Sequence, residues 1–270
     1  MQANFFLPSP PLKDFVAYYT FLGREGIGPE TKAVTGYPSG YADLVWVLGK
    51  GPKVKIEGQA FQEMQGLNLV GHFDQPFSVD LSSIDTVLWV RMKPHGLHAL
   101  TGLPAKNFHN KWVHADRVGL PSIRPALYTR YDSKNGRALI SKLEAYLVKH
   151  ITRHFSPDAR LSYVVRLLED PKCPVRLKKL SETLGCSYRS LDRLFWQKIG
   201  QSPKRVVSNL RFKSLLAEVQ NREDLDWMQL VVDFGFHDQA HLIKEFQKYT
   251  ALSPQRFMRS RQSIGFGLYA

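Results

Sequence analysis

Apolar residues in the first 120 or so positions come in short runs that Gly, Pro and Asp separate from one another. We predict strands at five of these runs, 42–48, 54–57, 67–70, 77–81 and 86–92. Many short strands with turn residues between them indicate a sandwich or a small barrel. The aromatic segment from Phe15 to Leu22 is ambiguous and fits either a short helix or a strand.

From about residue 97 the spacing of apolar positions changes. Residues 121–152 carry a stripe at intervals of three and four that is typical of a helix, formed by Leu139, Ile140, Leu143, Leu147 and Ile151. Such a helix either makes a dimer contact between domains or packs on the strands, and the sequence leaves both open. Pro157 breaks this helix and suits the first turn of the next one.

The rest of the chain predicts helices throughout, so the fold class is α+β. We expect a β-barrel or sandwich over 1–120, a helical linker over 121–157, an all-α domain over 158–261 and a tail over 262–270.

Two stretches of the α domain repeat one pattern. Residues 184–203 and 234–254 each show a helix end, a Gly, a short polar turn, a helix of about three turns, and Ser-Pro opening another helix. Gly185 and Gly235 can end a helix sharply because glycine adopts positive φ at low cost. Ser187 and Asp238 are good N-caps for the helices that follow. The pattern therefore predicts two helix-turn-helix units in tandem, which bind DNA with the second helix of each unit.

The outward faces of those second helices are the predicted sites of base recognition, since Arg favours guanine and Gln favours adenine. They carry Tyr188, Arg189, Asp192 and Arg193 in the first unit, and Gln239, Ala240, Ile243 and Lys244 in the second.

Charge distinguishes the two units. The chain has a net charge of +13, which favours polyanionic partners and above all double-stranded DNA. Residues 176–213 hold ten basic and two acidic residues, whereas 214–270 hold six and seven. We therefore expect the first unit to dominate affinity. The predicted phosphate contacts are Ser187, Lys204, Arg205, Arg211, Lys213 and Lys248.

Over about 158–261 the chain strongly resembles the AraC/XylS family of bacterial regulators. The second unit agrees with the family signature at Gly235, Phe236, Asp238, Phe246, Lys248, Ser253 and Pro254. It departs from it at Asp233, His241, Lys244 and Ala251. The resemblance implies that the helix starting at Pro203 joins two lobes rigidly, so that one chain reads an asymmetric site in successive major grooves. It also implies RNA polymerase as a partner and a homodimer as the usual state.

Residues 38–49 and 90–96 resemble, more weakly, the N-terminal domain of a subset of these regulators. That resemblance implies a cupin-like barrel that senses a small-molecule effector, with a pocket formed by Tyr41, Trp46, His72, Trp89 and Arg91. The alternative interpretation makes Trp46 and Trp89 ordinary core aromatics.

Catalytic and metal chemistry find little support in the sequence. The histidines His72, His95, His98, His109 and His114 form no recognisable ligand set with a carboxylate. No phosphate-binding loop or nucleophile motif occurs, so we expect no enzyme, no metal and no cofactor. Two alternatives stay open: a metal-dependent cupin enzyme with an accessory nucleic-acid module, and a ligand-independent dimeric regulator.

Targeting signals are also absent from the sequence. We expect a cytoplasmic protein, because no signal peptide, apolar membrane span or disulfide framework is evident, with Cys173 and Cys186 as its two cysteines.

Overall fold

A computed structural model describes residues 5–23, 33–123, 136–154, 159–169, 177–221 and 224–259. The predicted boundary at Pro157, part of the predicted linker and the tail over 262–270 lie outside these residues. Within the described part, an N-terminal β domain precedes a C-terminal helical domain, which confirms the α+β prediction.

The β domain consists of two antiparallel sheets that pack face to face. The larger has the order β1-β2-β9-β4-β7-β10 and the smaller β3-β8-β5-β6. The strands are β1 Phe5–Phe6, β2 Val16–Gly23, β3 Ala33–Gly36, β4 Ala42–Leu48, β5 Lys53–Ile56, β6 Gln62–Glu63, β7 Leu67–Val70, β8 Phe77–Asp80, β9 Thr86–Met92 and β10 Trp112–His114. The ambiguous aromatic segment is therefore a strand, β2.

Every residue of strands β4 and β9 is buried. Because both faces of these strands are covered, their sequences are nearly continuous apolar runs. Successive side chains of a strand point to opposite faces. Val45 and Trp89 belong to the core between the sheets, whereas Trp46 and Val90 belong to a second core on the outer face of the larger sheet.

Two helices cover that outer face, α1 (Gly96–Thr101) and α2 (Gly136–His154). The whole predicted apolar stripe of α2 is buried in the outer core. Glu144 of α2 also accepts hydrogen bonds from the backbone N–H of Ser9 at 2.7 Å and the hydroxyl of Tyr19 at 3.1 Å. Of the two alternatives for this helix, the structure shows packing on the strands.

The helical domain contains α3 (Ala159–Glu169), α4 (Leu177–Thr183), α5 (Tyr188–Lys198), α6 (Pro203–Asn221), α7 (Trp227–Asp233), α8 (Gln239–Thr250) and α9 (Pro254–Arg259). Within the described ranges, no helix combines the length and the apolar character needed to cross a membrane.

Candidate nucleic-acid interface

The first helix-turn-helix unit is formed by α4 and α5. Gly185 ends α4 with φ of +61°, and Ser187 caps α5 by accepting a hydrogen bond from the backbone N–H of Ser190 at 3.3 Å. Leu191 and Phe195 bury the inner face of α5 against Leu180. The predicted turn residues thus act as glycine and N-cap, and they set the angle between the two helices.

The outer face of α5 starts at its N-terminus. Tyr188 is half exposed, Arg189 and Arg193 are exposed, and Asp192 is partly buried. The four residues predicted to contact bases therefore lie on the first turns of one helix, with both arginines open to solvent. Their contacts with bases stay a prediction.

The second unit repeats this geometry with α7 and α8. Gly235 has φ of +64°, and Asp238 accepts a hydrogen bond from the backbone N–H of His241 at 2.7 Å. This bond and a second one from His237 hold the pKa of Asp238 below its ordinary value, so this N-cap keeps its charge. Gln239, Ala240 and Lys244 are exposed, whereas Ile243 is partly buried.

Helix α6 joins the two units. Its Phe212 stacks on Tyr249 of α8, with 4.4 Å between ring centroids, and contacts Phe246 edge-on. This aromatic cluster anchors the second unit to α6, as the rigid-joint prediction requires.

The residues predicted to contact phosphates have diverse surroundings. Ser187 is the N-cap of α5, and Lys204 is exposed. Arg211 and Lys248 both lie 3.3 Å from Glu245, and Lys213 lies 5.1 Å above the ring of Tyr41. Arg205 reaches into the β domain, as described next. Their contacts with DNA stay predictions.

The sequence did not predict a polar contact between the β domain and the first unit. Lys198 Nζ at the end of α5 is 2.8 Å from His98 Nε2 of α1. Asp74 Oδ1 is 3.4 Å from Arg205 Nε and 3.3 Å from Gln201 Nε2. These residues are separated by about a hundred positions or more in the chain, so no local signal pointed to them.

The predicted effector pocket is only partly assembled. Asp43 and Arg91 form a buried ion pair of 2.7 Å, and Arg91 donates a hydrogen bond to Ser39 Oγ at 3.1 Å and lies 5.6 Å from the ring centre of Tyr41. Trp89 shares this side of the sheet.

One predicted pocket residue points elsewhere. Trp46 pairs with Leu88, whereas Trp89 pairs with the preceding residue Val45, so the two tryptophans occupy opposite faces of the sheet. Trp46 is a core residue beneath the outer helices, and its assignment to the same pocket as Trp89 is corrected.

The space around the ion pair is small. It is lined by Ser39, Tyr41, Asp43 and Arg91 together with apolar neighbours, and it has room for about one water molecule. His72 precedes Phe73, which belongs to this lining. It is buried, and its Nε2 lies 3.3 Å from the carbonyl oxygen of Pro94. Burial lowers the pKa of His72 to about 4. His72 is therefore neutral at physiological pH.

No three His, Cys, Asp or Glu side chains converge as metal ligands in the part of the chain that the structure describes. His95 is buried at the start of α1, and burial lowers its pKa to about 3. His98 is engaged with Lys198.

Comparison with known families supports the assignment of the helical domain. Residues 180–260 match a family model described as a helix-turn-helix domain. This range contains both glycine turns, both N-caps of the outward-facing helices and both Ser-Pro helix starts. The C-terminal domain of the chain is therefore similar to this helix-turn-helix family.

One curated protein shows a limited similarity to this chain. Over 104 residues it is 28% identical to a protein of Haemophilus influenzae named as an uncharacterized HTH-type transcriptional regulator. The match covers 38% of this chain and 35% of that protein, so it spans about a third of the relative's length. Residues 4–114 match a domain of unknown function (DUF6597).

Two solved structures of ToxT from Vibrio cholerae resemble most of the chain weakly. The 1.65 Å structure is 12% identical and covers 89% of this chain and 96% of ToxT, with a TM-score of 0.45. A structure with bound unsaturated fatty acid is 13% identical and covers 87% and 96%, also with a TM-score of 0.45.

Proposed function

We propose that this protein is an AraC-family, sequence-specific DNA-binding transcription regulator and not an enzyme. The observation that carries the proposal is that one chain presents two helix-turn-helix units, each with a capped and exposed second helix. The exposure of Arg189 and Arg193 on α5 supports the proposal, because an arginine in a major groove can bind guanine through two hydrogen bonds. The bacterial chromosome lies in the cytoplasm, so this function requires a cytoplasmic protein.

The site expected for such a protein is asymmetric. Two units in one chain would read half-sites about one helical turn apart in the same orientation. RNA polymerase and a second copy of the chain are further proposed partners. The apolar stripe of α2 is already used within the chain, so a dimer would need another surface.

Selection from a random double-stranded DNA library with the purified full chain tests this proposal. We expect an enriched motif with two unequal halves at moderate salt. A matched double variant, Arg189→Ala with Arg193→Ala, should lose the half read by α5. The absence of any enriched motif with the unaltered chain would contradict the proposal.

A small-molecule effector in the β domain is a separate part of the proposal. The convergence of Arg91, Asp43 and Ser39 supports it, since a few fixed polar groups among apolar neighbours are typical of ligand sites. The pocket has room for about one water, so it must open before it can accept a metabolite.

The mouth of this pocket contacts the DNA-binding domain. An ideal Cβ on Gly40 would come within 2.8 Å of Leu210 Cγ of α6, and Lys213 of α6 covers Tyr41. Opening the pocket would therefore shift the helix that joins the two units, and effector binding would be coupled to DNA binding in this way.

Thermal shift against a panel of metabolites tests the effector. A specific ligand raises the melting temperature by binding the folded state only. Tyr41→Ala, which removes the aromatic cover, should abolish that shift while an unrelated exposed change such as Lys178→Ala leaves it intact. If no metabolite shifts the unaltered chain, a ligand-independent regulator is the better description.

A further inference from the structure

The C-terminal end of helix α5, which follows the residues predicted to contact bases, lies against the β domain. Lys198 Nζ is 2.8 Å from Nε2 of His98, and Nδ1 of the same ring is 2.8 Å from the carbonyl oxygen of Leu103. The carbonyl can only accept, so Nδ1 carries the hydrogen and Nε2 must accept from the ammonium group. This contact therefore requires a neutral His98 in one tautomer.

Asp74 holds a second cation of the DNA-binding domain. Its carboxylate is 3.4 Å from Arg205 and also contacts Gln201, whose side chain is fully buried and accepts a hydrogen bond from Asn209 at 3.0 Å. Burial raises the pKa of Asp74, but the contacts with His109 and Arg205 outweigh burial and lower it below its ordinary value. Asp74 is thus charged at every pH of physiological interest.

The two contacts flank one turn of the chain. Lys198 and Arg205 lie on either side of the segment between α5 and α6, where the backbone of Gly200 passes close to the β domain. An ideal Cβ on Gly200 would come within 2.7 Å of the carbonyl oxygen of Ala105. Trp196 of α5 adds an edge-on contact with His109, with 5.3 Å between centroids. The cations on both sides of this turn therefore face the β domain together.

Protonation affects the two contacts differently. A protonated His98 has no acceptor for Lys198, and the two cations repel each other. His109 lies 3.0 Å from Asp74 Oδ2 and can donate from Nε2 in its neutral or charged form, so that contact survives.

The electrostatic surroundings of His98 keep it neutral at pH 7. Burial, with a smaller contribution from Lys198, lowers its pKa below 6.5, against the opposing effect of the bond to Leu103. Among the described residues Lys198 is the charged group that acts on His98, and α2 and β4, which also pack on α1, contribute none. His95 on the same helix is neutral because of its own lowered pKa. The stabilising contact is thus complete above pH 6.5 and is lost as the pH falls through the lowered pKa of His98.

We propose that the contact of His98 with Lys198, together with that of Asp74 with Arg205, is an autoinhibitory restraint on DNA binding that acidification weakens. At neutral pH the β domain withholds two cations from the phosphate backbone. Protonation of His98 releases Lys198 and loosens the turn before α6. This inference rests on the proposed DNA-binding function.

The test must separate His98 from other histidines. His237 precedes α8 and His241 lies in its first turn, so both imidazoles would contribute to DNA binding directly. A background chain with His237→Gln and His241→Gln removes that contribution. In it, we expect a fall from about pH 7.5 to about pH 5, which passes below the lowered pKa of His98, to tighten DNA binding several-fold. The slope of log K against log salt should steepen by about 1, as one more cation meets phosphate.

Adding His98→Gln to this background is the decisive comparison. Glutamine still offers an oxygen to Lys198 but cannot be protonated, so the pH response of binding should disappear. Asp74→Asn is a second, independent variant: by releasing Arg205 it should tighten binding at about pH 7.5 and steepen the salt slope by about 1. An unchanged pH response in the His98→Gln chain, or unchanged or weaker binding by Asp74→Asn, would overturn the proposal.

Amide hydrogen exchange measured in the absence of DNA tests the restraint separately from the proposed DNA-binding function. The amides of 196–205, corrected for intrinsic exchange rates, should open on acidification in the background chain and stay protected in the His98→Gln chain. Exchange that is equal in both would overturn the restraint. Binding to no DNA by any variant at any pH, with the exchange pattern as expected, would instead overturn the DNA-binding function.

Discussion

Gly200 and Ala251 occupy equivalent positions after the second helices of the two units, and both have left-handed backbone, with φ of +92° and +58°. Each N–H bonds to a carbonyl of the helix that it ends, that of Phe195 for Gly200 and that of Gln247 for Ala251. The bond reaches back five residues at Gly200 and four at Ala251, but both helices end at a left-handed residue. Only Gly200 adopts this conformation without steric cost.

We predict that Ala251→Gly stabilises the protein. Relief of the left-handed strain outweighs the larger conformational entropy that glycine gives the unfolded chain, so the free energy of unfolding should rise by about 0.5–1 kcal/mol. Denaturant unfolding measures this change. The matched control is Ala217→Gly within α6, where the same substitution should cost about 1 kcal/mol. A loss of stability in the Ala251→Gly chain would contradict the strain argument.

Gly200 should tolerate a side chain less well than the turn glycines of either unit. Gly185 and Gly235 have positive φ but open space where a Cβ would be, whereas at Gly200 the carbonyl oxygen of Ala105 stands 2.7 Å away. We expect Gly235→Ala to cost about 1 kcal/mol and Gly200→Ala about 2–3 kcal/mol, because the latter also disturbs the contact between domains. Equal costs in unfolding experiments would show that the close approach is unimportant.

The ion pair of Arg91 and Asp43 should be costly to break from one side. Both side chains are less than 10% exposed, so Asp43→Asn leaves a buried charge without its partner and should cost about 3–5 kcal/mol. Replacing both residues, with Asp43→Leu and Arg91→Met, should recover much of that loss. The exposed pair of Arg166 and Asp14 is the control, where Asp14→Asn should cost less than about 1 kcal/mol. A double variant as unstable as Asp43→Asn would refute this explanation.

The sequence predicted the elements whose burial shows in a continuous local pattern of residues. Strands β4 and β9 have the predicted bounds because both their faces are apolar, and the turns of both units follow from Gly185, Gly235 and their N-caps. Short strands such as β3 and β10 were not predicted, since four or three residues show no period until a partner strand covers them.

The arrangement of the site was less predictable. The two tryptophans of the expected pocket differ by one register position between neighbouring strands, and one position decides which face a side chain occupies. The contacts of Asp74 and His98 with the first unit join polar residues that are remote in the chain. The periodicity of apolar residues indicates apolar faces, but it gives no signal for a polar contact between domains.

The two units should contribute unequally to DNA affinity. Helix α5 presents Arg189 and Arg193, whereas the exposed face of α8 presents Lys244 with Gln239 and Ala240. An arginine that binds guanine through two hydrogen bonds contributes about 1–3 kcal/mol of discrimination, and a lysine acts more as a point charge. We therefore predict a larger loss of affinity for Arg193→Ala than for Lys244→Ala, together with relaxed sequence preference in the α5 half-site only.

Footprinting of both variants on the selected operator measures each half-site separately. Lys178→Ala, which removes an exposed lysine from α4, serves as a charge-matched control for both. Equal losses from the two variants, after correction for this control, would show that the units share recognition evenly.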